Sequence, residues 1–390
     1  MLRYERRLEA PTRFPRPEGM SPALHALLCA RGVASAEDAR AFLNPGPESL
    51  HDPFLLSDMA RATARIRAAL DAGETICVYG DYDVDGVSAS AILCGYLKDR
   101  GADARVYLPS RHSEGYGLNE GAVRQIAGWA GLMVTVDCGV TSVELVALSK
   151  SLGLDVIVTD HHQPAEALPD CPVVNPLLAG YPFPHLCGAG VAWKLVQALS
   201  GDMAMDRVDI AALATVADVV PLTGENRIIV RLGLDAINAR PRPGIAALID
   251  AAGLSDKPVT STSVAFQLAP RLNAGGRLGS AMRSLALVTE TDPERAASQA
   301  MALEAENTRR RQVEAEILAE AEEMLKGFDF AAHRALILRG KGWNTGVIGL
   351  AASRLVEAYH YPVVLLSDDG EKLTGSCRSI EGVDIHAEIG

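Results

Sequence analysis

Five short apolar runs, each closed by polar residues, organise the first half of the chain: 76–79, then runs within 104–111, 131–142, 154–164 and 171–176. Each is rich in β-branched side chains and of a length that suits a strand buried on both faces. Helical or turn segments separate them, the clearest covering 87–98. This alternation predicts an α/β fold, a parallel sheet with helices on both faces. In such sheets ligands gather at the carboxyl ends of the strands, which is where the polar residues follow each run here.

From 188 to 284 the pattern turns helical, through GVAWKLVQALS, VDIAALATVADVVPL, NRIIVRLGLDAIN and SVAFQLAPRLNAGG. Asp292 or Thr291 then caps a long helix with Pro293 in its first turn, running to about Lys326 before Gly327. At about 1.5 Å per residue it would span about 50 Å and bridge two lobes. Its TRRR segment (308–311) interrupts an acidic face. A solvated helix face is the plain account of that segment, and a positive stripe facing a cleft is the other. A second α/β pattern follows in RALILRG, GWNTGVIGLAASRL, PVVLLSDDG and EKLTGSCRS, and stops at Gly390. Two strands and a helix leave little with which to bury a sheet, so the sequence is expected to be a fragment of a longer chain. The Pro-rich opening and helical patterns at 25–31 and 59–72 read as a cap on the first lobe. The expected division is an N-terminal cap (1–73), a first α/β domain (74–290), a connecting helix (291–327) and a smaller, partial α/β domain (328–390).

With 390 residues, 48% of them hydrophobic, the chain is globular and has room for two or three cores. Its net charge of −12 argues against a basic chromatin-type binder. Nucleic acid stays open, because bound metals offset clustered aspartates and a local basic path suffices for binding. The seven cysteines include no CxxC pair and are odd in number, which points to reduced thiols and a cytoplasmic location. No apolar run approaches membrane-spanning length, and the start is charged and Pro-rich rather than an apolar signal stretch.

The segment GDYDVDG (80–86) places aspartates at 81, 83 and 85. In an extended chain such i, i+2, i+4 side chains share one face. Three carboxylates side by side repel and take up protons unless a cation sits between them. A solvated acidic loop or a calcium turn would be spelled in the same way. Asp137 and Asp160-His161-His162 end two later strands, however, and Asp218 ends an apolar helix just before Pro221. Together Asp81, Asp83, Asp85, Asp137, His161 and Asp218 offer five carboxylates and one imidazole, a hard set suited to Mn2+ or Mg2+. Six groups are too many for one octahedral ion that keeps positions open. Two ions bridged by Asp137, about 3.5–4 Å apart, would use them and support an in-line phosphoryl displacement.

The set GDYDVDG, VDCG, TDHHQP and ADVVPL resembles the DHH phosphoesterase superfamily, and PSRHSEGYGL with GGRLGS narrows the resemblance to the RecJ family within it. The match runs from about 75 to 378. The resemblance implies a single-strand-specific 5′→3′ DNA exonuclease of recombination and repair that releases 5′-mononucleotides. It implies that Asp81, Asp83, Asp85, Asp137, His161 and Asp218 hold the metals, Asp81 directly or through another ligand, and that His162, Asp137 and Asp85 carry the reaction. His162 would face the phosphate, to stabilise charge or to protonate the leaving oxygen. Arg111, Tyr116 and Arg277 would contact the DNA strand, while Ser376, Arg378 and Ser379 would receive its 5′-phosphate end. Single-stranded DNA with a 5′ end is the implied substrate, and a helicase and a single-strand-binding protein are the implied partners. The chain departs from the family pattern at Asn344-Thr345, where His-Pro is usual, and the OB-fold that grips single strands is expected to be missing from this sequence. Two other readings use the same residues: an oligoribonuclease or cyclic-dinucleotide phosphodiesterase, and a non-catalytic replication scaffold.

Overall fold

The computed structural model describes residues 12–387, apart from 112, 113, 116, 240 and 386. Helices α1 (Pro22–Ala30) and α2 (Ala36–Leu43) open the chain. The first begins before the apolar pattern at 25–31, because the Ser21 hydroxyl caps the Leu24 amide and Pro22 takes the first turn. Phe14, Leu28, Cys29, Val33 and Ala39 give this segment a small core of its own. Helix α3 (Met59–Ala72) leads into the sheet.

Strand β1 (Ile76–Gly80) is buried along its whole length. Helix α4 (Val84–Asp99), strand β2 (Ala104–Tyr107), helix α5 (Glu120–Ala127), strand β3 (Leu132–Val136), helix α6 (Val143–Ser151), strand β4 (Asp155–Thr159) and strand β5 (Val173–Val174) follow. The order is β2-β1-β3-β4-β5 and every pairing is parallel, as the alternation of strands and helices requires. One face packs on α5 and α6 through Val123, Ile126 and Val146. The other packs on α3, α4 and α7 (Gly188–Ser200) through Ile66, Ile92, Leu93 and Trp193.

The helical stretch is α8 (Val208–Ala217), α9 (Gly224–Ala239), α10 (Pro243–Ala251) and α11 (Ser261–Ser263). The last runs through a π turn (Val264–Leu268) into α12 (Ala269–Leu278), and α13 (Ala281–Thr289) closes the stretch. A buried ion pair, Lys194 with Glu225 at 2.5 Å, sits beneath the loop that precedes α3. The His51 amide donates to Glu225 and its carbonyl accepts from Lys194, so the N-terminal segment completes the pair's hydrogen bonding.

Helix α14 (Pro293–Met324) is the long connection, capped by Asp292, which accepts from the Arg295 amide. Its end joins β6 (Leu336–Lys341), α15 (Ile348–Tyr359), β7 (Val363–Asp368) and β8 (Leu373–Arg378). These strands form a second, mixed sheet in the order β6-β7-β8. The expectation that too little chain remained to bury a sheet is corrected here. Segment 371–379 supplies a third strand, and Ile317, Ala321 and Leu325 of α14 close a core with Leu336, Trp343, Ile348 and Leu355. No helix among the described residues is long and apolar enough to cross a membrane.

Candidate metal centre

The three aspartates of GDYDVDG do not lie along a strand. Strand β1 ends at Gly80, and α4 begins at Val84, earlier than the apolar pattern suggested, because Asp83 is its N-cap and accepts from the Asp85 and Gly86 amides. Asp85 therefore projects from the first turn of a helix. Gly86 is needed there for close approach, since a Cβ would fall 2.5 Å from the Asp81 amide nitrogen and carbonyl oxygen. Asn273 of α12 accepts from the Val84 amide at 3.2 Å and fixes the same turn from the other side.

Asp137 follows β3 in the left-handed region, φ 63°, which aspartate tolerates better than most residues. Its carboxylate meets the imidazole of His161, Nε2 lying 3.1 Å from Asp137 Oδ1, 3.6 Å from Asp85 Oδ2 and 3.8 Å from Asp218 Oδ2. The candidate ligand atoms fall into groups whose members lie within 4.8 Å of one another: Asp85-His161-Asp218, Asp81-Asp83-Asp137 and Asp137-His161-His162. The first two divide the six expected ligands into two triads.

The electrostatics of these residues fit cations. Burial and the charges of Asp85, Asp83, Asp160 and Asp81 push Asp137 well above the usual carboxylate range. Burial, then Asp83, raises Asp81 to about 7, and burial, then Asp85, raises Asp218 to about 8. Asp81 Oδ1 and Asp137 Oδ1 are buried and accept no hydrogen bond from the protein. Orphaned, mutually repelling carboxylate oxygens are what a pair of hard divalent ions would satisfy.

Two supports were not legible as site residues. Asp160, buried after β4, accepts from the amides of Val140, His161 and His162 and lies 2.7 Å from His162 Nδ1. It turns the backbone so that both imidazoles flank Asp137, their centroids 4.5 Å apart. The second support is the N-terminus of α7, whose Gly188 and Ala189 amides donate to Asp85 at 2.6 and 2.8 Å. The adjacent spelling DHH could have indicated Asp160; nothing in LCGAG advertises two free backbone donors.

The arginines border the aspartates: the charge of Arg111 acts on Asp81, and that of Asp83 on Arg277. Arg111 stacks over the Tyr82 ring at 4.9 Å. Arg277 donates to the Gly346 carbonyl of the second lobe at 2.9 Å, and burial with the charges of Arg111, Arg310 and Arg378 lowers it to about 10. These four cations therefore share one region between the lobes. Of the TRRR segment, Arg310 belongs to it, while Arg311 is exposed and turned to Glu304. Ser376 and Arg378 flank Gly349 in the first turn of α15. Ser379 is turned aside, its hydroxyl donating to the Val383 carbonyl. Tyr116 lies outside the described residues. Asn344 accepts from the Gly346 amide and shapes the loop that receives Arg277.

The DHH family N-terminal domain matches residues 75–218, the span that carries every acidic and imidazole group of the cluster. A single-stranded-DNA-specific exonuclease RecJ of Salmonella typhimurium is 36% identical over 406 residues, which cover 98% of this chain and 70% of that protein. The chain belongs to the RecJ family. The RecJ of Bacillus subtilis is 40% identical over 379 residues, 95% of this chain, and the chain spans 48% of its length. A solved RecJ exonuclease bound to manganese superposes with a TM-score of 0.78 at 35% identity, covering 86% of this chain and 85% of that one. RecJ-family membership accounts for the α/β architecture and for the second, smaller sheet beyond α14.

Proposed function

We propose that this chain is the core of a 5′→3′ exonuclease that removes mononucleotides from single-stranded DNA, with two Mn2+ or Mg2+ ions at the aspartate cluster. The observation that carries the reading is the division of six ligand residues into two triads around His161 and Asp137, with His162 beside them. Asp85, His161 and Asp218 would hold one ion and Asp81, Asp83 and Asp137 the other, Asp137 being placed to bridge. When bound, such ions supply an activated water and neutralise charge on the phosphoryl oxygens.

The chain's own groups supply direction and proton handling. Arg111 and Arg277 lie on the way from the cluster to the second lobe, where Ser376 and Arg378 of β8, beside Gly349 in the first turn of α15, suit a terminal phosphate. A strand held there by its 5′-phosphate would present its first phosphodiester to the acidic cluster. The hydrogen bond to Asp160 raises the His162 pKa against the opposing effect of burial. The protonated imidazole therefore persists to higher pH, available to donate to the leaving oxygen. A helicase that opens duplex and a single-strand-binding protein are the partners that such an enzyme needs in recombination and repair. Seven unpaired cysteines suit the cytoplasm as its compartment.

Asp160→Asn tests the role of His162. Loss of the charge lowers the His162 pKa, so the alkaline limb of the rate–pH profile is expected to move to lower pH, with about 10–100-fold less activity at pH 8. An unmoved limb would remove His162 from proton transfer.

The function itself is tested with a single-stranded oligonucleotide in manganese, with and without a 5′-phosphate, beside a blunt duplex. Mononucleotides released from the 5′ end, faster with the phosphate and not from the duplex, are the expected result. Cleavage confined to dinucleotides or short oligomers would turn the reading toward a small-substrate phosphodiesterase.

A further inference from the structure

Asp218 is the C-cap of α8, and the next residue, Val219, has φ 60°. That is the left-handed region, comfortable for glycine or asparagine and strained for a β-branched side chain. Of the five non-glycine residues described with positive φ, Val219 alone is β-branched. It is also the most exposed large apolar side chain among the described residues, at 85%. Its neighbours Ala217, Val220 and Leu222 pack against the main core, so the segment is anchored on both sides of it. The fold therefore gains no packing from the Val219 isopropyl group and carries a backbone that the group disfavours. Strain of this kind collects where a residue serves a ligand.

The position shows which ligand. Asp218 Oδ2 is 3.8 Å from His161 Nε2, within one ligand triad. The Val219 Cα lies about 3.8 Å further along the chain. A phosphodiester engaged at Asp218 brings its nucleoside within reach of Val219. Resting on the nuclease reading above, we propose that Val219 is a substrate-contacting residue whose isopropyl group packs against the base of the 5′-terminal nucleotide. An apolar contact suits an enzyme that must accept every base, because dispersion and burial need no hydrogen-bond pattern.

Val219→Gly separates side chain from backbone, since glycine takes this φ without strain. On 5′-phosphorylated single-stranded DNA in manganese, its kcat/KM is expected to fall about tenfold. Its melting temperature is expected to hold or rise, because the strain is relieved, and its manganese affinity by calorimetry to hold. Val219→Thr, of the same shape, should keep more than half of the wild-type rate. An oligonucleotide with an abasic 5′-terminal nucleotide should be cut about tenfold more slowly by the wild type, while Val219→Gly should scarcely distinguish it from the normal strand. If Val219→Gly cuts the normal strand at the wild-type rate, the side chain is idle and the proposal falls. Weakened manganese binding in Val219→Gly would also overturn it, because the residue would then act on Asp218 through the backbone. A wild-type protein that cuts no single strand would overturn the nuclease reading itself, and this proposal with it.

Discussion

Asp137→Asn is expected to reduce hydrolysis by about 10⁴-fold and, at the same time, to make the metal-free protein more stable. The two effects have one cause. Asp137 is 2% exposed and faces four other carboxylates, those of Asp85, Asp83, Asp160 and Asp81. On the proposed reading it would serve both ions; without cations it is a buried carboxyl that burial and like charges keep from ionising. Asparagine keeps the shape and tolerates the left-handed backbone, so the substitution removes charge with little else. The pH dependence follows with a definite sign. Asp81, raised to about 7, and Asp218, raised to about 8, bind protons in the folded protein that the unfolded chain has released above the ordinary carboxylate value of about 4. The folded state then holds more protons than the unfolded state, and stability is lost as pH rises from about 4 toward 7–8. In chelator, the wild type should melt lower at pH 8 than at pH 6, and Asp137→Asn should show a shallower fall. Manganese should raise the wild-type melting temperature strongly and that of the variant little. Near-normal turnover by the variant with full metal occupancy would sink the bridging role.

The sheet and the long helix were legible because their signals are local. Runs such as 132–136 and 156–158 are apolar or β-branched at every position, and Asp292-Pro293 spells a helix start. The clustering of the six candidate ligands was legible as well, since carboxylates and imidazoles after strands announce themselves by residue type. What the sequence hid is set by backbone. GDYDVDG reads equally well as an extended run or as a strand end followed by a cap, and only the Asp83 cap decides between them. The second lobe looked too small for a core because α14 was read as a bridge, whereas Ile317 and Ala321 near its end also face the second sheet. Arg277 reads from the sequence as a phosphate contact, and the structure shows its bond to the Gly346 carbonyl, which ties the lobes together.

The α7 N-terminus is the largest of these hidden features, and Gly188→Ala tests it. A Cβ on Gly188 would lie 2.5 Å from Asp137 Cβ, 2.7 Å from its Oδ1 and 2.8 Å from its Cγ. Neither side can yield easily. Asp137 is fixed by its place after β3, where its amide donates to the Thr159 carbonyl, and the α7 terminus is fixed by its two amides on Asp85. Relief requires α7 to retreat, which lengthens the bonds to Asp85, or Asp137 to rotate away from His161. Either movement breaks a ligand triad, so activity is expected to fall more than about 100-fold, with about 1–3 kcal/mol of stability lost to overpacking. Gly190→Ala, two residues along the same helix, is the matched control. Its Cβ would meet Leu186 at 3.4 and 3.5 Å and Cys187 at 3.8 Å, ordinary contact distances. That variant should keep its activity and gain up to about 0.5–1 kcal/mol from the loss of a helical glycine. Manganese titration of both variants, followed by melting temperature, separates the causes. A Gly188→Ala protein that binds manganese and turns over like Gly190→Ala would show that the cluster does not depend on the α7 terminus. Loss in the first variant alone would place these two backbone amides among the groups that build the centre.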